Sequence, residues 1–482
     1  MNSEETRWLD ATEQAALVRN HEATPIELVE AAISRIERLN PTVNAVIHER
    51  FDQAREEALG DLPPGPLRGV PFLLKDLGAM VEGEPHTIGA SLLKDLDFRA
   101  PVTSYVAQKF IDAGLVRLGS STAPEFGASS LSVETNAFGQ TRNPWNLARA
   151  AGASSGGAAA AVASGMVPIA HGNDAGGSIR IPAAFCGLVG LKPSRGRTSQ
   201  GPLQGESLGG VAEHGVLTRT VRDAALGLDV VSGNMPGDTF VAPKPNRSFR
   251  EEVDRSPGRL RIGVVRGAPS DRAPFSQDAE DALKHALTLV EDLGHELRDS
   301  HPDGLDEEGL NELWPLNFSS GFAAGMEPIE QALGRSLTAD DFEPFTWPII
   351  ERGRRISATE YLKYFEWRND ITRRTAQWWA DGNDILVVPT TSAVAPQLGE
   401  EKLRPGETID DAFRRMFDFI PFTHLWNATG QPAISLPIHT TGEGLPFGVT
   451  FVAAYGREDV LIRLASQIEA ASPWKDSLPP LS

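Results

Sequence analysis

Cysteine is all but missing from the 482 residues: there is one, Cys186. A single thiol cannot form a disulfide within its own chain, nor a multi-cysteine zinc site. No uninterrupted apolar run approaches the length a transmembrane helix needs. Residues 1–20 are polar and lack the apolar core of a signal peptide, so no membrane association and a cytoplasmic location are expected. Positive charge is also scarce. Forty-five Lys and Arg stand against 65 Asp and Glu, a formal net charge of −20. Such a chain repels phosphate backbones, which argues against a nucleic-acid partner. The ten histidines form no His-Glu-x-x-His and no tight cluster, so neither a metal nor another cofactor is implied.

Glycine, by contrast, is plentiful and unevenly placed among its 46 positions. Gly152, Gly156, Gly157 and Gly165 are followed by Gly172, Gly176, Gly177, Gly187 and Gly190. No long repeat accounts for them. Glycine at that density means that the backbone itself is in use.

The rest of the chain alternates strand and helix signals. Thr24-Pro25-Ile26-Glu27 is a capping box with proline at the first helical position. Ile26, Val29, Ile33 and Ile36 then mark one apolar face, and Asn40-Pro41 is expected to stop that helix. Further helices are predicted over 104–113, 155–163, 220–233, 279–293 and 460–471. Strands are predicted over 43–47, 70–74, 115–118, 167–170, 260–265, 385–389, 433–436 and 448–453. Residues 173–182 read as a tight loop and 234–259 as a surface connection. Continuous apolar strands between helices imply an α/β chain with a parallel or mixed sheet covered by helices. Residues 310–380 are rich in aromatics, from Trp314 to Trp379. Most of these read as helical core, and the remainder as lining for an apolar pocket.

Three features bear on chemistry, and each has a plain alternative. Lys75 ends the apolar run 70–74. It is either solvated where the strand exits, or buried and so able to act as a base near neutral pH. Ser154 and Ser155 stand between glycines at a helix start, where a serine is often only an N-cap. Gly176 and Gly177 allow successive N–H groups to face one concavity, a nest for an oxyanion, with Ser178 at its rim. Together the three gain weight. A Ser178 hydroxyl needs a base before it can attack, and Lys75 acting through Ser154 would supply one, as Ser–Lys arrangements do elsewhere.

Residues 143–197 carry Ser154-Ser155-Gly156-Gly157, then Gly176-Gly177-Ser178-Ile179-Arg180-Ile181-Pro182-Ala183, then Lys192-Pro193-Ser194-Arg195-Gly196-Arg197. This pattern resembles the signature of the amidase signature family, and similarity extends over nearly the whole chain. The resemblance implies an α/β fold with a central mixed sheet covered by helices on both faces. It implies a single domain over 1–482, with a signature core at about 60–235 and a variable aromatic pocket region at about 300–385. It also assigns roles: Lys75 is the base, Ser154 the bridging serine held by a cis peptide bond, and Ser178 the acylated nucleophile. The N–H groups of Ala175, Gly176, Gly177 and Ser178 form the oxyanion hole. Gly127 and Ala128, in the loop 124–128, lie near the substrate, and residues 422–427 are further pocket candidates. Asp174 and Arg180 are expected to pair and brace the loop.

The implied partner is a small amide or carbamate, acted on without a cofactor by a monomer or homodimer. Two departures touch loop shape: Ala151-Gly152-Ala153 replaces the usual Pro-Gly-Gly, and Asn173 replaces the usual Thr. The same chemistry cleaves amides, anilides, esters and carbamates. An aromatic pocket favours extended, cyclic or aryl substrates, such as nylon-type oligomers, aryl acylamides and urethanes, over small polar amides.

Three rivals remain. Gly152–Gly156 also fits the nucleophile elbow of α/β-hydrolases, with Ser154 attacking and His424 or His439 as base. That reading needs a strand before the elbow, which 143–151 is not expected to form. The others are a thiol amidase using Cys186 and the amidase subunit of an amidotransferase.

Overall fold

A computed structural model describes residues 3–268, 272–306 and 310–481. Eleven strands form one sheet: β1 (Val46–Ile47), β2 (Pro71–Lys75), β3 (Val116–Ser121), β4 (Ile169–Asp174), β5 (Val189–Lys192), β6 (Glu213–Thr218), β7 (Arg261–Val264), β8 (Glu296–Arg298), β9 (Ile385–Pro389), β10 (Ala433–Thr440) and β11 (Pro446–Ala453). Their spatial order is β1-β3-β2-β4-β6-β5-β10-β11-β9-β7-β8. Strands β3, β2 and β4 run parallel, as do β9, β7 and β8, and the pairings between these groups are antiparallel. The mixed sheet that was expected is present.

Side-chain alternation along the central strands explains why helices cover both faces. Phe72, Leu74, Ile169 and Val216 point into one core, together with the helices α4 (Val221–Val231), α5 (Gln277–Asp292) and α9 (Glu458–Ala471). Leu73, Ala170 and Leu217 point into the other, against α1 (Pro25–Val43) and α2 (Gly156–Ala163). The aromatic region supplies a third cluster. Trp314, Phe318 and Phe322 of α6 (Leu310–Leu333) pack on Phe413 and Phe417 of α8 (Ile409–Phe419) and on Ile181 and Phe185 of α3 (Arg180–Cys186). Trp378 and Trp379 of α7 (Ala358–Ala380) join the first core instead.

Several boundaries differ from expectation, each for a local reason. Helix α1 runs through Pro41 to Val43 instead of stopping at Asn40. The Asn40 amide oxygen accepts the N–H groups of Ala45 and Val46, at 2.8 Å each, and Asn44 closes the helix in the left-handed conformation at φ 54°. The predicted strand over 43–47 is thereby cut to two residues. The loop predicted over 173–182 is shorter, because β4 extends to Asp174 and α3 begins at Arg180. Residues Asn146–Ala150 do form a strand, contrary to expectation, but it pairs with Arg142–Asn143 in a separate two-stranded sheet.

Helix α2 is buried along its whole length. It approaches the C-terminal end of β3 so closely that a Cβ on Gly157 would lie 2.3 Å from Thr122 Oγ1 and 2.4 Å from Thr122 N. Overpacking of this kind costs about 1–3 kcal/mol. Gly157→Ala is expected to lower the urea denaturation midpoint accordingly, and an unchanged midpoint would show that the helix can shift away.

Candidate active site

The C-terminal ends of the parallel strands β2 and β4 lie side by side, with Phe72 opposite Ile169 and Leu73 opposite Ala170. In open α/β sheets such strand ends are where ligands bind. The last residue of β2 is Lys75, fully buried. Its Nζ lies 2.7 Å from Ser154 Oγ and 2.5 Å from Asn173 Oδ1. Asn173 Nδ2 donates to the Leu77 carbonyl at 3.0 Å, which fixes the amide orientation. An amide oxygen only accepts, so Lys75 donates one N–H to it. The peptide bond between Ala153 and Ser154 is cis.

Burial pushes the Lys75 ammonium well below its usual range, with the Asp174 carboxylate pulling weakly the other way. Lys75 therefore gives up its proton more readily than an exposed lysine does. The ground beneath it is uncharged. Its backbone N–H donates to His171 Nδ1 at 3.3 Å, and His171 Nε2 meets His214 Nδ1 at 3.1 Å. Burial lowers both imidazoles, His214 to about 3. A backbone donor at His171 Nδ1 leaves that ring's proton on Nε2, so it donates to His214.

The loop that follows β4 is built around Asp174. Its carboxylate and the Arg180 guanidinium, both fully buried, pair at 2.8 Å, as the motif led us to expect. Burial opposes charge on Asp174, but Arg180 and Asn427 hold its carboxyl well below the usual range. The same carboxylate accepts the N–H groups of Gly177 at 2.8 Å and Ile179 at 3.1 Å. The Gly177 N–H is thus engaged within the loop, whereas Ala175, Gly176 and Ser178 line a cavity of about 370 Å³. Ser154, Asn173 and Gly127 line it too, with Phe126, Trp314, Phe318 and Phe322. The Ser155 N–H donates to the Ser178 carbonyl at 3.2 Å, tying the two serine segments together. No hydrogen bond joins the Ser154 and Ser178 hydroxyls in this structure, so one of the two expected hydroxyl steps is formed and the other is open.

Two site expectations are corrected. Ala128 lines a neighbouring cavity of about 350 Å³ rather than the one holding Ser178. Residues 422–427 brace the loop from behind instead of lining the pocket. Asn427 Nδ2 donates to the Asp174 carbonyl at 2.9 Å and its Oδ1 accepts from Arg180 at 2.6 Å, while Thr423 Oγ1 donates to the Gly176 carbonyl at 2.7 Å.

Sequence reasoning passed over Glu401. Its buried carboxylate accepts the N–H groups of Ser130 at 2.9 Å, Leu131 at 3.1 Å and Ser132 at 2.8 Å. The Ser130 carbonyl in turn accepts the Ala153 N–H at 3.2 Å, next to the cis bond. No local pattern around Glu401 signals this contact, which spans 271 residues at Ser130.

Neither rival nucleophile fits. The strand before Ser154 lies outside the central sheet, His424 packs against Phe417 and Trp314, and His439 faces His285. Burial pushes the Cys186 thiol up, and its Sγ donates to the Ala151 carbonyl at 3.4 Å.

Removing Arg180 would leave Asp174 charged and unpaired in the interior, at a cost of about 3–5 kcal/mol. Arg180→Met is therefore expected to lower the denaturation midpoint sharply and to abolish activity along with the loop's shape. Near-normal stability in that variant would show that the pair does not organise the loop.

Comparison with known proteins agrees with this geometry. A family model described as "Amidase" matches residues 27–462. The chain is 40% identical to the 6-aminohexanoate-cyclic-dimer hydrolase of Paenarthrobacter ureafaciens, over 98% of this chain and 97% of that protein. The solved structure of a 6-aminohexanoate cyclic dimer hydrolase superimposes with a TM-score of 0.94 at 39% identity, covering 98% of this chain and 99% of the other. A bacterial aryl acylamidase of the amidase signature enzymes superimposes with a TM-score of 0.85 at 28% identity, covering 98% and 97%. With the family model spanning most of its length and the Ser-Gly-rich segment set at the ends of β2 and β4, this chain belongs to the amidase signature family, whose named members here are hydrolases of amide bonds.

Proposed function

We propose that this protein is a serine amidohydrolase that acts on uncharged extended, cyclic or aryl amides through Lys75, Ser154 and Ser178. The observation that carries the reading is the buried Lys75 amine, 2.7 Å from Ser154 Oγ at a cavity that Ser178 also lines. A neutral amine has one lone pair and two N–H groups. With one N–H held by Asn173, the lone pair can face the Ser154 hydroxyl.

Ser154 passes its proton to Lys75 and takes the Ser178 proton as Ser178 Oγ attacks the carbonyl carbon. The carbonyl π pair moves to oxygen, which meets the N–H groups of Ala175, Gly176 and Ser178. Each donor to such an oxyanion contributes about 10²–10³ in rate. The tetrahedral intermediate collapses by breaking the C–N bond, and the relay returns the proton to the departing amine. Water then attacks the Ser178 ester by the same route in reverse and frees the acid.

The chain's relatives include hydrolases of a cyclic aminohexanoate dimer and of aryl acylamides, which favours uncharged cyclic and aryl amides. Carbamates and esters share the acyl-transfer step, so urethane cleavage belongs to the same reading. The test is a panel: the cyclic aminohexanoate dimer, a 4-nitroanilide, an aryl carbamate and a small primary amide. Cleavage of the first two well above the primary amide is expected. Turnover of the primary amide alone would overturn the substrate reading.

Ser178→Ala is expected to abolish turnover and remove the acyl-enzyme mass that rapid quenching traps in the wild type; near-normal turnover would remove Ser178 from its role. Lys75 must be unprotonated to act. Its lowered pKa therefore predicts that kcat/KM persists far below the ordinary lysine value of about 10.4 and falls as acid protonates the amine. An acid limb at the ordinary lysine value would show that burial does not lower Lys75, and an acid limb left unchanged in Lys75→Met would exclude it as the base.

A further inference from the structure

The wall of the catalytic cavity is nearly free of ionisable groups. Among the described residues that line it, His86 is the only Asp, Glu, Lys, Arg or His. It sits on a short segment that Asp76 organises. The Asp76 carboxylate accepts the Thr87 N–H at 2.9 Å, the Thr87 hydroxyl at 2.6 Å and the Gly89 N–H at 3.1 Å. The His86 backbone N–H is held by the Phe98 carbonyl at 3.1 Å. The ring is therefore presented by a fixed backbone, five per cent exposed, and it sits beside the residue that follows Lys75.

One edge of the ring faces Asp76. Nδ1 lies 3.6 Å from Asp76 Oδ1, too far for a hydrogen bond but close enough for the carboxylate to favour a proton there. His48 is close as well, its Nε2 meeting the Thr87 hydroxyl at 3.1 Å, while Arg99 is bridged to Pro85 and Glu84 pairs with Arg117. Burial lowers His86, with Asp76 opposing and His48 assisting. A neutral imidazole carries one ring proton. With that proton on Nδ1, Nε2 keeps its lone pair and is an acceptor.

Resting on the reading of this chain as an amide hydrolase, we propose that His86 is a specificity-determining residue: its Nε2 accepts the N–H of a second amide in the substrate, away from the scissile carbonyl, so that uncharged molecules carrying two amide groups are preferred. A ligand without that donor covers the acceptor and leaves it unpaired. Sites built to hydrogen-bond a substrate reject the analogue that lacks the group.

The test uses two matched 4-nitroanilides: that of N-acetyl-6-aminohexanoic acid, and its analogue with CH2 in place of the remote N–H. Both keep the same scissile bond and the same remote carbonyl. Release of nitroaniline is followed, and the readout is the ratio of kcat/KM values within each enzyme, which cancels any general damage. The wild type is expected to favour the diamide about tenfold, mostly through KM. In His86→Leu the ratio should collapse toward one, and in His86→Gln, whose amide oxygen can accept, much of it should return. If His86→Leu does not fold, His86→Phe carries the same comparison. An unchanged ratio in the variant lacking an acceptor, or no preference in the wild type, overturns the role of His86 and leaves the amide-hydrolase reading intact. Failure of the wild type to cleave either anilide overturns that reading itself, and the inference with it.

Discussion

Much of what surrounds the site bears on one constraint, that a lysine amine lies fully buried inside a protein. A lysine in the interior holds its proton wherever a free carboxylate is near, and loses its use as a base. Here the acid whose charge acts on Lys75, Asp174, is already paired with Arg180 at 2.8 Å and hydrogen-bonded by Asn427. Its negative charge is taken up locally, so its pull on Lys75 is weaker than the effect of burial. Beneath the lysine the two imidazoles are uncharged, and beside it stands an amide, Asn173. The buried ion pair thus does more than hold a loop. It also balances a counter-charge that favours the protonated lysine.

The fold supplies the place for this arrangement. Parallel strands β2 and β4 bring Lys75 and Asn173 to the same edge of the sheet, and the short turn after β4 lets α3 begin with Arg180 directly behind its own carboxylate partner. Helix α2, made only of Gly, Ala and Val, closes against Thr122 and so sets Ser154 within reach of the lysine. A helix with larger side chains would push that segment outward.

The stretches that hold Lys75, Ser154 and Ser178, the proposed catalytic trio, and the ion pair stood out in the sequence because each is short and compositionally odd: an apolar run ending in lysine, serines between glycines, and a Gly-Gly-Ser turn with Asp and Arg around it. The sheet was legible for a similar reason, since strands buried on both faces read as continuous apolar runs. What escaped detection was held by contacts between distant parts of the chain. Asn427, expected only as pocket lining, meets Asp174 across 253 residues, and Glu401 meets Ser130 across 271 with no signal from its neighbours in sequence. Pro41 misled because a proline ends most helices, whereas here the Asn40 side chain takes over the hydrogen bonds that close it. Ala128 misled because proximity in sequence to Gly127 does not say which way each residue faces.

That last point has a consequence of its own. Within residues 124–132, Phe126, Gly127 and Ser130 face the catalytic cavity, while Glu125, Ala128, Ser129 and Ser132 face the acidic one beside it. The segment is a partition one chain thick, with a different chemistry on each side. Inserting a single residue before Glu125, with the chain up to Pro124 held in place, would bring the Glu125 carboxylate to the position where the Phe126 phenyl ring now lies. The phase of this one loop therefore bears on which substrates the cavity accepts, without touching Lys75, Ser154 or Ser178.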